Sequence, residues 1–348
     1  MKTKLAVLIA LFFLSVSCDN EIAPEIPPEK SNGYLVINEG LYGQNNASLT
    51  FYDLKSNEAT QNVYFSANGG NDLGDTANDF MQCCGKGFIV LDKSKKIEII
   101  DLSDFKSLGF IDFNEYGSPR NIAFYDTARA YVTTLENLVV EINPNRNRVT
   151  RTIQVGVLPE GITICDGKIF VANSGFGTGT SVSVIDLYNW TTAAEIEVGK
   201  NPRFMESDDE FVYAISAGDY VPPGEGSITK ISASTLVPVD TILLNGNPGK
   251  ACIAENNLYV IYAAGIAKIN LSTFSITDSL FISGAEVNSL TGVIYSIFFD
   301  EDRSRFLVGN PKDFLQNGEV VIFSNEGEKT GSFSCGLNPG KIAFISNN

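Results

Sequence analysis

From residue 33 to the end, apolar positions come in short runs separated by Gly, Asn, Asp and Pro, and one phrase keeps returning. It opens on a short apolar strand, at 34–37 (YLVI), 88–91 (FIVL), 130–133 (AYVT), 169–172 (IFVA), 212–215 (VYAI), 258–261 (LYVI) and 306–309 (FLVG). These seven starts lie roughly 40 to 50 residues apart, the period of propeller blades. A second strand alternates apolar and polar positions, as half-buried strands do, at 48–53 (SLTFYD), 97–101 (IEIID), 182–186 (VSVID) and 267–270 (AKIN). A third follows at 151–156 (RTIQVG) and 194–199 (AEIEVG). A turn with Pro then opens a fourth, at 119–124 (PRNIAF), 159–164 (PEGITI), 202–205 (PRFM), 248–253 (PGKACI) and 339–344 (PGKIAF). Proline suits the first residue of a strand, where no ladder donor is lost.

Four short strands per repeat make one antiparallel blade, and seven repeats predict an all-β, seven-bladed β-propeller over residues 33–348. No long helical period interrupts it. The first repeat starts with its second-type strand, and the chain ends with an inner strand at 341–345. The C-terminal strand is therefore expected to join three N-terminal strands in one blade, closing the ring and removing open sheet edges.

The N-terminus reads as an address. Lys2 and Lys4 precede the ten-residue apolar run 5–14 (LAVLIALFFL), which is too short to span a bilayer. Ser15-Val16-Ser17-Cys18 resembles a lipobox, with Leu14 one place further out than the usual pattern, implying a signal peptide at 1–17 and a diacylated Cys18; the alternative is an ordinary cleaved signal with an incidental Cys. Residues 19–32, polar and with three prolines, read as a semi-extended tether. The acidic residues just after Cys18 look like the export signal of surface-exposed lipoproteins in some Gram-negative bacteria. The expected location is thus the outer membrane, lipid-anchored and exposed at the cell surface.

Composition removes several functions. Net charge is −16, from 25 basic and 41 acidic residues, so the basic footprint of a nucleic-acid binder is missing. Histidine is absent, which excludes a Ser-His-Asp triad, a Cys-His pair, an imidazole metal site and a histidine base. The cysteines beyond Cys18 are Cys83, Cys84, Cys165, Cys252 and Cys335; their spacings match no metal motif. Most sit in apolar runs and are expected as small buried side chains, with a vicinal Cys83–Cys84 bridge as the alternative. The run 68–75 (NGGNDLGD) has oxygen ligands without EF-hand spacing, and 175–179 (GFGTG) has no following helix. Both read as loops, and no catalytic or metal residue is singled out.

In a propeller, the loops entering the inner strands and those between second and third strands crowd one face around the axis, where a ligand pocket forms. The long loops fall there: 38–46, 66–76, 112–118, 173–180, 216–227, 283–292 and 310–318. They offer Asn45, Asn173 and Asn310 with the aromatics Tyr42, Tyr116, Phe176, Tyr220 and Phe314. Asn supplies donor and acceptor, and aromatic rings supply flat faces. Just after the prolines lie Arg120, Glu160, Arg203, Lys250 and Lys341, four of the five cationic. Tyr42, Tyr116, Tyr220 and Phe314 are expected to line one bowl, with Arg120, Arg203, Lys250 and Lys341 ringing its floor. The competing reading makes Gly and Asn turn formers and the cations charge balance around a solvated channel, with Asn78-Asp79 offsetting part of the ring.

The repeat, strand-Val-Ile-Asp-strand-Val-Gly-x-x-Pro-x-x-strand, resembles the YncE-like seven-bladed propellers over essentially all of 33–348. The stretch 37–53 (INEGLYGQNNASLTFYD) is similar to one branch of them, surface lipoproteins of gut-type anaerobes that includes BtuG-like, cobalamin-capturing proteins. That resemblance implies a binding protein, not an enzyme: it would take a small molecule, a corrinoid such as cobalamin, and pass it to a TonB-dependent outer-membrane transporter. No cofactor is implied. A protein- or glycan-binding scaffold is the alternative, and a propeller lactonase, lyase or quinoprotein a more distant one.

Overall fold

The computed structural model describes residues 31–221 and 224–346; the signal peptide, Cys18 and most of the tether lie outside the described residues. Within them the chain forms seven four-stranded antiparallel sheets. Blade one takes 33–61 with the closing strand Pro339–Ile345. Blades two to seven take 77–112, 119–154, 159–197, 202–245, 251–283 and 296–334 in turn. The seven recurrent apolar runs all become the second strands: Gly33–Asn38, Lys86–Leu91, Arg129–Thr134, Lys168–Asn173, Phe211–Ser216, Asn257–Tyr262 and Arg305–Asn310. Two short helices, Val63–Ala67 and Gly284–Val287, sit in loops that lead into inner strands.

Ring closure is as the repeat phase requires. The strand Gly33–Asn38 is flanked by Pro339–Ile345 on one side and Ser48–Asp53 on the other, with Tyr34 opposite Phe344 and Tyr52. Chain start and chain end therefore share one sheet, and the strand Gly33–Asn38 is paired on both sides.

A blade cannot bury both of its apolar faces alone, so each stacks on its neighbours. Seven apolar clusters result, one between each adjacent pair of blades. Between blades two and three, Phe88, Val90, Ile97 and Ile99 meet Ile122, Val132, Val140 and Ile142. Burying each such side chain is worth about 1.5–3 kcal/mol. Polar ties cross the same interfaces near the axis. Thr133 donates to the Glu160 carbonyl at 2.7 Å, and Ser296 donates to the Pro339 carbonyl at 2.6 Å. Asp79 accepts from the Ile122 backbone N–H at 3.1 Å.

One feature of the inner strands positions the site. In blades two to five the register slips near the start, between Ala77 and Asp79, Pro119 and Ile122, Pro159 and Ile162, and Pro202 and Phe204. The closing strand slips too, where Asn38 pairs Pro339 and Ile37 pairs Lys341. A bulge adds a residue without a partner and re-aims its side chain. Here it turns Asn78, Arg120, Asn121, Glu160 and Arg203 out of the ladder and toward the axis.

Candidate functional site, an axial funnel

Two connected chambers run along the axis from the face where the inner strands begin. The upper one, of about 260 Å³, is lined by Glu39, Asn78, Arg120, Asn121, Glu160, Arg203, Phe204, Lys250 and Tyr295, among others. The deeper one, of about 350 Å³, reaches Asp79, Met81, Glu206 and Lys341. Asn78, Asn121, Phe204 and Lys250 border both and form the waist between them.

The four expected cations are thus brought together, but they do not form a bare positive ring. Arg120 contacts Asp92 at 2.5 Å and forks onto Glu160, with Nε and Nη2 at 3.1 and 3.0 Å from Oε2. Arg203 lies 3.6 Å from Glu160 and donates to the Tyr220 hydroxyl at 2.9 Å. Lys341 pairs with Asp79 at 3.1 Å. Lys250 donates to the Gly340 carbonyl at 2.5 Å, with its ammonium 5.2 Å from the centre of the Tyr295 ring. The Tyr295 hydroxyl donates to Glu39 at 2.5 Å. Five acids, Glu39, Asp79, Asp92, Glu160 and Glu206, answer the four cations. The reading of a cationic floor is corrected on this point. Glu160 and Asp79 stand where the repeat placed them, whereas Glu39 and Asp92 come from loops between second and third strands and Glu206 from further along an inner strand, positions the repeat phrase does not align.

Depth shifts these groups toward neutrality. Burial pushes the Glu206 carboxyl up to about 7, with Lys341 opposing and Asp79 adding to the rise. Burial lowers the Lys250 ammonium to about 8, against the pull of Glu39. Asp79 holds Lys341 charged, although 42% of that side chain is open to the channel. Burial and then the Glu39 charge hold Tyr295 protonated. The wall is therefore a mixture of fixed ion pairs and groups that titrate near neutrality. It matches a ligand with both donors and acceptors better than a simple anion. Among the described residues no group of three or more Cys, Asp or Glu is placed to hold a metal ion.

The rim residues are divided by the structure. Tyr220 reaches the funnel through Arg203, and Phe314 packs edge-on against Tyr295, with ring centres 5.7 Å apart. Tyr42 and Phe176 stand exposed in mouth-face loops, the former under the Lys93 ammonium at 5.0 Å and the latter at φ 47°. Asn45 donates to Asp72 at 3.1 Å and lines a separate pocket beside blade one.

Three further proposed ligand contacts are also placed elsewhere. Tyr116 packs on Phe113 within the cluster between blades two and three and lines an outer groove with Asn147 and Arg148. Asn173 is buried and donates to Ser181 and Ser183 at 3.0 and 2.9 Å; Gly156 leaves the room its amide fills. Asn310 is buried and donates to the Val287 carbonyl at 2.8 Å. Both asparagines end second strands, where turn chemistry consumes the amide. Glu39, Asn121, Phe204, Glu206 and Tyr295 line the funnel but were not singled out from sequence. Tyr295 carried a usable signal, since it directly precedes an inner strand.

Fold comparisons agree with this architecture. A hydrazine synthase chain of Kuenenia stuttgartiensis aligns with TM-score 0.58 and 16% identity, over 77% of this chain and 95% of that one. A quinonprotein alcohol dehydrogenase-like protein of Bacteroides thetaiotaomicron aligns with TM-score 0.66 and 18% identity, over 90% and 78%. The computationally designed Ika8 protein aligns with TM-score 0.58 and 9% identity, over 91% and 96%. At such identities the likeness is one of fold alone. No curated protein matches the sequence. Residues 32–250, more than half of the chain, match the family described as a domain of unknown function, DUF5074, and the chain belongs to that family.

Proposed function

We propose that this propeller is a capture protein that binds a small molecule at the mouth of its axial funnel. The observation carrying this reading is the set of bulged inner strands that turn Arg203 and its neighbours toward one cavity, beneath loops bearing Tyr220 and Phe176. Aromatic faces above a mixed donor and acceptor wall suit a flat, amide-rich ligand carrying a phosphodiester, which describes a corrinoid. The resemblance of 37–53 to BtuG-like proteins points to the same ligand. On this reading Cys18 anchors the protein in the outer membrane at the cell surface, and the mouth face hands cobalamin to a TonB-dependent transporter.

Calorimetric titration of the soluble body, residues 31–348, with cyanocobalamin tests the proposal. One-to-one binding weakened by Tyr220→Ala supports it. No binding by calorimetry and by an independent optical titration overturns the corrinoid reading. A protein scaffold is the second reading, favoured by Val157, Val221, Leu290 and Leu315, which stand exposed in loops of the same face. In that case the same face would capture a partner without small ligand.

A further inference from the structure

The face opposite the mouth carries a feature unrelated to the funnel. The turn joining the strands Ala77–Cys83 and Lys86–Leu91 is Cys84-Gly85, so two cysteines are adjacent at a surface hairpin. Their sulfurs lie 2.9 Å apart and both thiols are free. Cys84 is exposed, whereas Cys165 and Cys335 are buried, so the expectation of small buried cysteines fails at this position. Turn geometry does not call for this residue. The same two-residue turn in blade four is Asp166-Gly167, with φ 47° and 68°, against 56° and 74° for Cys84-Gly85.

We propose that Cys83 and Cys84 form a surface dithiol that closes reversibly into a vicinal disulfide by exchange with a low-molecular-weight disulfide. The Cys84 thiolate attacks one sulfur of that reagent, forms a mixed disulfide and expels one thiolate. Cys83 then attacks the Cys84 sulfur, forms the intramolecular bond and expels the second thiolate. The two cysteine protons end on the two expelled thiolates, and the dithiol loses two electrons to the reagent. Cys84 is the entry point because it is exposed, while burial pushes the Cys83 thiol up to about 11. The closed form is strained. Adjacent α-carbons stand about 3.8 Å apart, below the usual disulfide range of about 4.4–6.8 Å. Strain makes the bond easy to reduce, which suits a reversible modification better than a permanent staple.

The test incubates the full-length protein with glutathione disulfide, alkylates the remaining thiols and maps tryptic peptides. One peptide, residues 56–86, carries both cysteines and no other. The expected result is that this peptide loses two hydrogens without retaining glutathione, and dithiothreitol restores it. Cys83→Ser should instead hold glutathione on Cys84. Cys165 and Cys335 should alkylate only in denaturant, confirming that the fold is intact. A wild-type peptide that keeps a glutathione adduct, remains a free dithiol under the same exposure, or links two chains overturns the proposal.

Discussion

Arg120 and Arg203 occupy the same place in blades three and five, on either side of Glu160 in blade four, but do different jobs. Each follows the proline that opens an inner strand, and each is turned toward the axis by a bulge. Arg120 is held between Asp92 and Glu160, and only 15% of its side chain is exposed. Arg203 shares Glu160 at 3.6 Å, bonds Tyr220 at the rim, and is 33% exposed. The first is a staple tying blades two, three and four; the second is available to a ligand. A repeat therefore sets where a side chain is presented, while its neighbours decide whether it is spent.

The comparison is broken or sharpened by substitution. Arg120→Ala leaves two carboxylates without their main partner in a confined site, and thermal and denaturant unfolding should show a loss of about 3–5 kcal/mol. A loss below about 1 kcal/mol would remove the staple from the account. Asn173→Ala removes two hydrogen bonds, to Ser181 and Ser183, and the same measurements should show about 1–3 kcal/mol lost with ligand affinity unchanged. Arg203→Ala should reverse that pattern. Glu160 keeps Arg120, so stability should change by less than about 1 kcal/mol. Cyanocobalamin affinity should fall tenfold or more, equivalent to about 1.4 kcal/mol.

A pH slope from the deeper chamber gives a further test. The folded chain holds the Glu206 proton up to about 7, above the ordinary carboxyl value, so it binds that proton more tightly than the unfolded chain. Stability from this group is complete at low pH and declines as pH rises from the ordinary carboxyl range to about 7. Lys250 acts with the opposite sign at higher pH. Its proton leaves at about 8 in the fold, so stability rises from there toward the ordinary lysine value. Glu206→Gln should flatten the first slope and leave the second, as read by denaturant unfolding across pH.

The blades were legible because strand periodicity is local: every apolar run of the repeat became a second strand in the predicted phase. The prolines also marked the funnel, since Arg120, Arg203, Lys250 and Lys341 all reach it. The rim was less legible. Tyr116 and Tyr220 look alike in a loop, yet one packs under Phe113 and the other bonds Arg203. Asn173 and Asn310 look like ligand contacts in sequence, but buried backbone and hydroxyl groups claim their amides first.

What the sequence alone determined is the propeller: seven repeats, four strands in each, and closure by the last strand. These follow from alternation, turn residues and repeat phase, all carried by neighbours along the chain. Only the tertiary structure decided the charge of the funnel and the state of its side chains. Asp92 reaches Arg120 from blade two, Glu39 reaches Tyr295 from blade one, and Asp79 meets Lys341 across the closure. Those partners are distant in sequence and meet only because the ring brings seven inner strands to one axis. Burial there then shifts Glu206 and Lys250 toward neutrality, an effect that no local pattern encodes.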